Sequence, residues 1–365
     1  MTPKILVIGC GRIAGWHCRA IKSQKKMKLL GVCDLDLEKA KNYSKKFKVP
    51  YFTNYRKMLK ELKDANTVAI ITPSGMHFEH SYEILKKYKM NIIVEKPTFM
   101  NPTQVVKIYD LASKLKKKIY PVFQNRYNLA VQRLKKAIDK NELGKIYSAS
   151  VRMRWCRPQR YYDLSKWRGT FSHDGGALTN QGIHHLDLIK YLVGDISSVY
   201  CEMKTLGVKL EVEDTALSII KFKNGAIGNL EVTTAARPDD FEASISIMGE
   251  KGMAQIGGVA VNNLEIFTPN PKECKKYSDD FSKLPDRGRV YGRGHFDFYN
   301  DIIRNFNGKK FPVSFKDCLS SINILNAHYV SHERGKEVQI VKNKNINSKY
   351  LGKKNDKISN LYRTK

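Results

Sequence analysis

The sequence predicts an α/β part followed by an α+β part: an N-terminal doubly wound parallel sheet, then a C-terminal domain on a large, mainly antiparallel open sheet. Three observations carry this. Continuous apolar runs alternate with amphipathic helical stretches over the first 120 residues. A glycine loop directly follows the first run. After about residue 145 the runs become partly alternating, and almost no helix interrupts them.

In the first part, KILVIG reads as a strand and IAGWHCRAIKS as a helix. KLLGVCD, TVAIITP, NIIVEKP and IYPVFQNR are the next long apolar strands. LEKAKNYSKKF, HFEHSYEILKKY and PTQVVKIYDLASKLKK supply helices between them. In the second part the strands are KIYSASVRMRW, SVYCEMKTL, DTALSIIKFK, AIGNLEVTTAA and EASISIMGE, joined by turns such as KNGA. HFDFYNDIIRNFNG and FKDCLSSINILNAHYVSHERG restore helices that pack back. The boundaries expected are 1–123, 124–341 and a basic, mobile tail over 342–365 that lacks periodicity.

At 365 residues the chain has room for two domains with cores of their own. No stretch approaches the roughly 20 apolar residues of a membrane helix. The first strand begins almost at residue 1, with no secretory pattern before it, and the seven cysteines are scattered without CxxC spacing. Both point to a cytoplasmic chain with reduced thiols and no metal site. The formal charge of +30 comes mostly from lysines spread over helix surfaces, so a solvated basic surface is expected and no specific nucleic-acid partner.

GCGRIAGWH opens the first helix and reads G-x-G-x-x-A through Gly9, Gly11 and Ala14. Gly9 permits the tight turn, Gly11 lets backbone approach a pyrophosphate, and Ala14 lets helix and strand pack closely. The helix N-terminus then offers N–H donors, here around Arg12 and Ile13, to phosphate. Asp34 ends the second strand about 23 residues after Gly11, where a carboxylate binds adenosine ribose hydroxyls. No arginine directly follows Asp34, and its charge repels a 2′-phosphate. The first part therefore reads as a Rossmann domain for NAD rather than NADP.

Farther along come ITPSGMH and VEKPTFMNP, then DGGALTNQGIHHLD. With the glycine loop, these resemble the glucose–fructose oxidoreductase / inositol dehydrogenase / rhizopine catabolism (Gfo/Idh/MocA) family over nearly the whole chain. The resemblance implies cofactor contacts from Thr72, Pro73, His77, Glu95 and Lys96. It also implies that Lys96 of the Glu-Lys-Pro motif and His184 of the later helix act beside the nicotinamide, with Pro97 often cis. Oxidising a sugar hydroxyl removes a proton from oxygen while hydride leaves carbon. Histidine can take that proton and lysine can stabilise the alkoxide charge. His185 is the weaker candidate, lying about 100 degrees round the helix.

Asn180, His184 and Asp187 fall on one face if DGGALTNQGIHHLD is a single helix, which suggests the floor of an active site with Gly175 and Gly176 passing close to ligand. Many inositol dehydrogenase-like members of the family carry aspartate four residues before the histidine. Asn180 instead resembles the members acting on nucleotide-linked sugars, the UDP-N-acetylglucosaminuronate 3-dehydrogenases.

The segment RMRWCRPQRYYDLSKWRGTF packs Arg152, Arg154, Arg157, Arg160 and Arg168 among Trp155, Tyr161, Tyr162 and Trp167. Arginine forks and aromatic faces suit a diphosphate, a carboxylate or a base, or else a subunit interface. Arg157, Tyr161, Trp167 and Arg168 are the substrate-binding candidates here, joined by Gln124 and Arg126 of QNRYN, Asn180 and His184. The reading is an NAD-dependent oxidoreductase for the ring hydroxyl of an anionic sugar, forming the homodimer or homotetramer that the resemblance implies. The rivals are an inositol or free-sugar dehydrogenase and a non-catalytic sugar-sensing regulator of the same fold.

Overall fold

The computed structural model of the chain describes residues 2–279 and 292–364, which divide into two compact units. The first takes in the chain up to Val122, His295–Leu319 and the C-terminal residues from Lys354. The second comprises Phe123–Gly294 and Ser320–Lys353.

The first unit is built on six parallel strands: β1 (Lys4–Ile8), β2 (Lys28–Cys33), β3 (Tyr51–Phe52), β4 (Thr67–Ile70), β5 (Asn91–Val94) and β6 (Ile119–Pro121). Their order is β3-β2-β1-β4-β5-β6. Ile5, Leu6 and Val7 of β1, Val68 to Ile70 of β4 and Ile92 to Val94 of β5 are all 0 % exposed. Both sheet faces are covered, which is why these strands read as unbroken apolar runs. The helices are α1 (Ala14–Lys22), α2 (Leu37–Phe47), α3 (Tyr55–Glu61), α4 (His77–Glu83) and α5 (Pro102–Lys114). Asp36, Asn54 and Asn101 cap α2, α3 and α5 by accepting backbone N–H groups of the first turn. The helix Gly294–Phe306 contributes Phe298 and Tyr299, both fully buried.

The second unit carries β7 (Ile146–Arg154), β8 (Ile196–Lys204), β9 (Thr215–Phe222), β10 (Ile227–Thr233), β11 (Glu242–Gly249), β12 (Gly252–Gly257), β13 (Asn263–Phe267) and β14 (Val338–Gln339). They form one sheet in the order β13-β12-β11-β7-β10-β9-β8-β14. β7 and β10 run parallel and the other neighbours antiparallel. Along β9, Ala216, Ser218, Ile220 and Phe222 point inward while Leu217, Ile219 and Lys221 face out. On that outer face Leu217, Ile219, Ile227 and Met248 are more than half exposed. Among the described residues no helix is long and apolar enough to cross a membrane.

The residues expected to form a mobile tail are fastened instead. Asn323 accepts the N–H of Ile346, and Asn326 that of Ser348. The Phe171 carbonyl accepts the N–H of Gly352. Arg363 forks onto Glu79 within the first unit. Sequence periodicity missed this because side-chain-to-backbone ties need no repeating pattern.

Candidate active site

The glycine loop leaves β1 with Gly9 at φ +97°, a left-handed conformation that suits glycine. A Cβ there would meet the Ile71 carbonyl oxygen at 2.3 Å. Asp34 holds the loop, its carboxylate accepting the N–H of Cys10 at 2.7 Å and that of Asp36 at 2.9 Å. Tyr43 donates to the Gly11 carbonyl at 2.7 Å. In the Cβ direction from Gly11 there is nothing within 4 Å. α1 begins without a side-chain cap from Ile13 and without an acidic residue in its first turn. An uncapped helix start facing a glycine loop suits an anion. Arg12 is exposed and Ile13 half-buried beside it.

The Glu-Lys-Pro loop follows β5, and the Lys96–Pro97 peptide is cis. Lys96 is half-buried. His77 and Glu95, expected as cofactor contacts, turn inward. His77 is 1 % exposed and sits between the carbonyls of Pro97 (2.9 Å) and Thr72 (3.0 Å). Burial lowers its pKa, against those carbonyls, which raise it. Glu95 is 5 % exposed and bonds His17 and the Lys96 backbone. Thr72 places its hydroxyl on His80 at 3.0 Å, and Pro73 is half-buried.

In the second unit, DGGALTNQGIHHLD forms two helices rather than one, Ala177–Asn180 and Ile183–Val193. Gln181 and Gly182 separate the two helices, with both residues still in the right-handed helical region. The Asn180 amide donates to Asp174. His184 is 6 % exposed, and its Nε2 lies 3.2 Å from the Gln124 amide nitrogen, so two predicted site residues do meet. His185 is fully buried, edge-on to Trp155, and burial drops its pKa to about 4. It packs as a neutral core histidine.

Asp187 and Arg126 have a different task from the one expected. Arg126 forks onto Asp187 with both bonds at 2.7 Å, and the side chains are 7 % and 1 % exposed. Ser321 adds a third bond at 2.8 Å. The guanidinium expected to line the substrate site is thus spent in a buried ion pair. The arginine segment is also largely self-neutralised. Arg154 pairs with Glu231 and Glu242, and Arg157 with Asp240 at 2.6 Å. Arg152 and Arg160 are exposed. Arg168 is half-buried and has no carboxylate partner among the described residues. It donates to the Tyr161 hydroxyl, 4.3 Å from that ring's centroid and 4.7 Å from Trp167's.

A family model described as the oxidoreductase family with an NAD-binding Rossmann fold (GFO_IDH_MocA) matches residues 3–123. The GFO/IDH/MocA C-terminal domain model matches residues 131–255. The glucose-6-phosphate 3-dehydrogenase of Bacillus subtilis is 31 % identical over 260 residues, 68 % of this chain and 72 % of that protein. The chain belongs to the Gfo/Idh/MocA family. Two solved WlbA dehydrogenases in complex with NADH and UDP-GlcNAcA share its structure. That of Chromobacterium violaceum is 33 % identical with a TM-score of 0.85, over 94 % of this chain and 97 % of its own. That of Bordetella pertussis is 31 % identical with a TM-score of 0.87, over 93 % and 98 %.

As a Gfo/Idh/MocA protein it is an NAD-dependent oxidoreductase of the sugar dehydrogenase kind, acting on CH–OH. The residues present fit the cofactor: open space before Gly11, an uncapped α1 and a loop-clamped Asp34 whose oxygens keep lone pairs for ribose hydroxyls.

Sequence reasoning missed Glu213. It lies beneath the Gly-Gly turn, where a Cβ on Gly176 would fall 2.0 Å from its carboxyl. Gly175, at φ +66°, similarly leaves room for Thr179. On their Cβ sides the two glycines therefore admit protein side chains. Burial pushes Glu213 up to about 7, against bonds from the Leu178 N–H and the Tyr329 hydroxyl, which pull it down. A carboxyl whose folded pKa is raised stabilises fully below its ordinary value of 4.5 and loses that contribution as pH rises through about 7. Stability should thus fall by up to about 1.4 kcal/mol per pH unit across that window. Glu213→Gln should flatten this slope in thermal melts taken from acid to neutral pH; an unchanged slope would show that Glu213 is not its source.

Proposed function

We propose that the chain oxidises a ring hydroxyl of an anionic sugar, with nucleotide-linked N-acetylated sugars or their uronates as the leading class. Arg168 carries this reading. A cation stacked on Tyr161 and Trp167 without a carboxylate of its own suits a phosphate or carboxylate on the substrate. The WlbA proteins crystallised with UDP-GlcNAcA support the same class.

Bound NAD would supply the acceptor for the hydride of the carbinol carbon. His184 takes the hydroxyl proton. A neutral His184 that accepts the Gln124 amide at Nε2 carries its basic electron pair on that nitrogen. Lys96 holds the hydroxyl oxygen and stabilises its developing charge. Gly9, Gly11 and Asp34 hold the dinucleotide, while Gln124, Tyr161, Trp167, Arg168 and Asn180 serve the substrate. The apolar outer sheet face around Leu217, Ile219, Ile227 and Met248 supports a homo-oligomer.

Arg168→Ala should raise KM for a nucleotide-linked sugar acid by about 10- to 150-fold, the worth of one charge-assisted contact. Activity on a neutral sugar should hardly change. If both activities fall together and the variant dissociates on a sizing column, the arginine serves an interface and the anionic substrate loses its main support.

A further inference from the structure

A buried polar chain stands behind Lys96, entirely within the first unit. One Glu95 oxygen accepts the backbone N–H of Lys96 at 2.9 Å. The other lies 2.9 Å from Nε2 of His17, in α1. Nδ1 of His17 lies 2.8 Å from the Tyr299 hydroxyl. His17 and Tyr299 are both 0 % exposed. One assignment satisfies every group: Tyr299 donates to His17 Nδ1, His17 Nε2–H donates to Glu95, and Glu95 also accepts the Lys96 N–H. Burial would raise the Glu95 pKa, but hydrogen bonds from His17 and His295 outweigh it and hold it well below the usual range. Burial holds the Tyr299 pKa well above its usual value, which keeps its O–H as a donor.

Such a carboxylate is costly in a core, where aliphatic residues would pack without it. What it secures is the peptide entering Lys96, while His77 reaches the carbonyl of the next residue, Pro97. The Lys96 backbone is therefore fixed on both sides. We infer that His17 and Tyr299 are positioning residues that act on Lys96 through Glu95. This rests on the proposed role of Lys96 in sugar oxidation.

The test uses His17→Leu, His17→Gln and Tyr299→Phe, with two readouts. The first is deuterium exchange at the Lys96 amide, which needs no sugar. The second is kcat at saturating NAD and sugar, with NAD affinity measured beside it. In His17→Leu, Lys96 exchange should accelerate and kcat should fall about 10- to 100-fold, as misplacement of a reacting group by about an ångström does. NAD affinity should hold. Glutamine can donate to Glu95 and accept from Tyr299, so His17→Gln should recover both readouts. Tyr299→Phe loses one hydroxyl and should show a smaller change in the same direction, which serves if His17→Leu fails to fold.

Unchanged Lys96 exchange in the variants, or faster exchange with full kcat, would overturn the inference. The ligand atoms of His17, Glu95 and His295 all lie within 4.8 Å of one another. One tightly bound zinc per chain would therefore also overturn it. A wild-type enzyme that turns over no sugar would sink the functional reading instead, and the exchange pattern would still decide the anchoring.

Discussion

His184→Ala and Lys96→Ala are each expected to lower kcat by about 10²- to 10⁴-fold, or about 2.7–5.4 kcal/mol of barrier, with NAD affinity kept. The loss should appear in kcat and kcat/KM alike, because the proton and the alkoxide charge are handled in the transition state. His185→Ala is the internal control. Its ring is fully buried and packed on Trp155, so it should lower the melting temperature while the folded fraction turns over nearly normally. Near-normal kcat in His184→Ala on the true substrate would remove the histidine from the mechanism.

The second large effect falls on stability. Asp187→Ala strands the Arg126 guanidinium in a site where it is 7 % exposed. Breaking a buried pair in this way costs about 3–5 kcal/mol. Urea unfolding of the second unit should show a midpoint lowered to match. Replacing both members, Arg126→Met with Asp187→Leu, should recover most of the loss, because no unpaired charge is left behind. Had Arg126 served the substrate, Arg126→Met alone would raise KM and spare the midpoint; that outcome would overturn the structural role assigned to the pair.

The contrast between Arg126 and Asp34 shows what the sequence could reveal. The place of Asp34 beside the glycine loop was legible because it depends on local order: a strand, a glycine loop and a carboxylate at the end of the next strand. The two sheets were legible for a similar reason, since burial of both faces or of one face writes itself into the strand pattern. Arg126 and Asp187 stand 61 residues apart, and Glu213 lies 37 residues beyond the glycine that makes room for it. No periodicity links such partners. The split at Gln181–Gly182 was hidden because Asn180, His184 and Asp187 satisfy helical spacing whether or not the helix is continuous. A signal for His17 was present, however. It is a histidine among Trp16, Cys18, Ala20 and Ile21, all of them buried in α1, and a polar residue in such company calls for a buried partner.

The proposed activity is NAD-dependent oxidation of an anionic sugar. Its most direct test is NADH formation by the wild-type enzyme across a panel of UDP-N-acetylglucosaminuronate, UDP-N-acetylglucosamine, glucose 6-phosphate, glucose and myo-inositol. The highest kcat/KM is expected on a charged sugar, led by the nucleotide-linked acid. Equal or greater kcat/KM on myo-inositol or free glucose would contradict it.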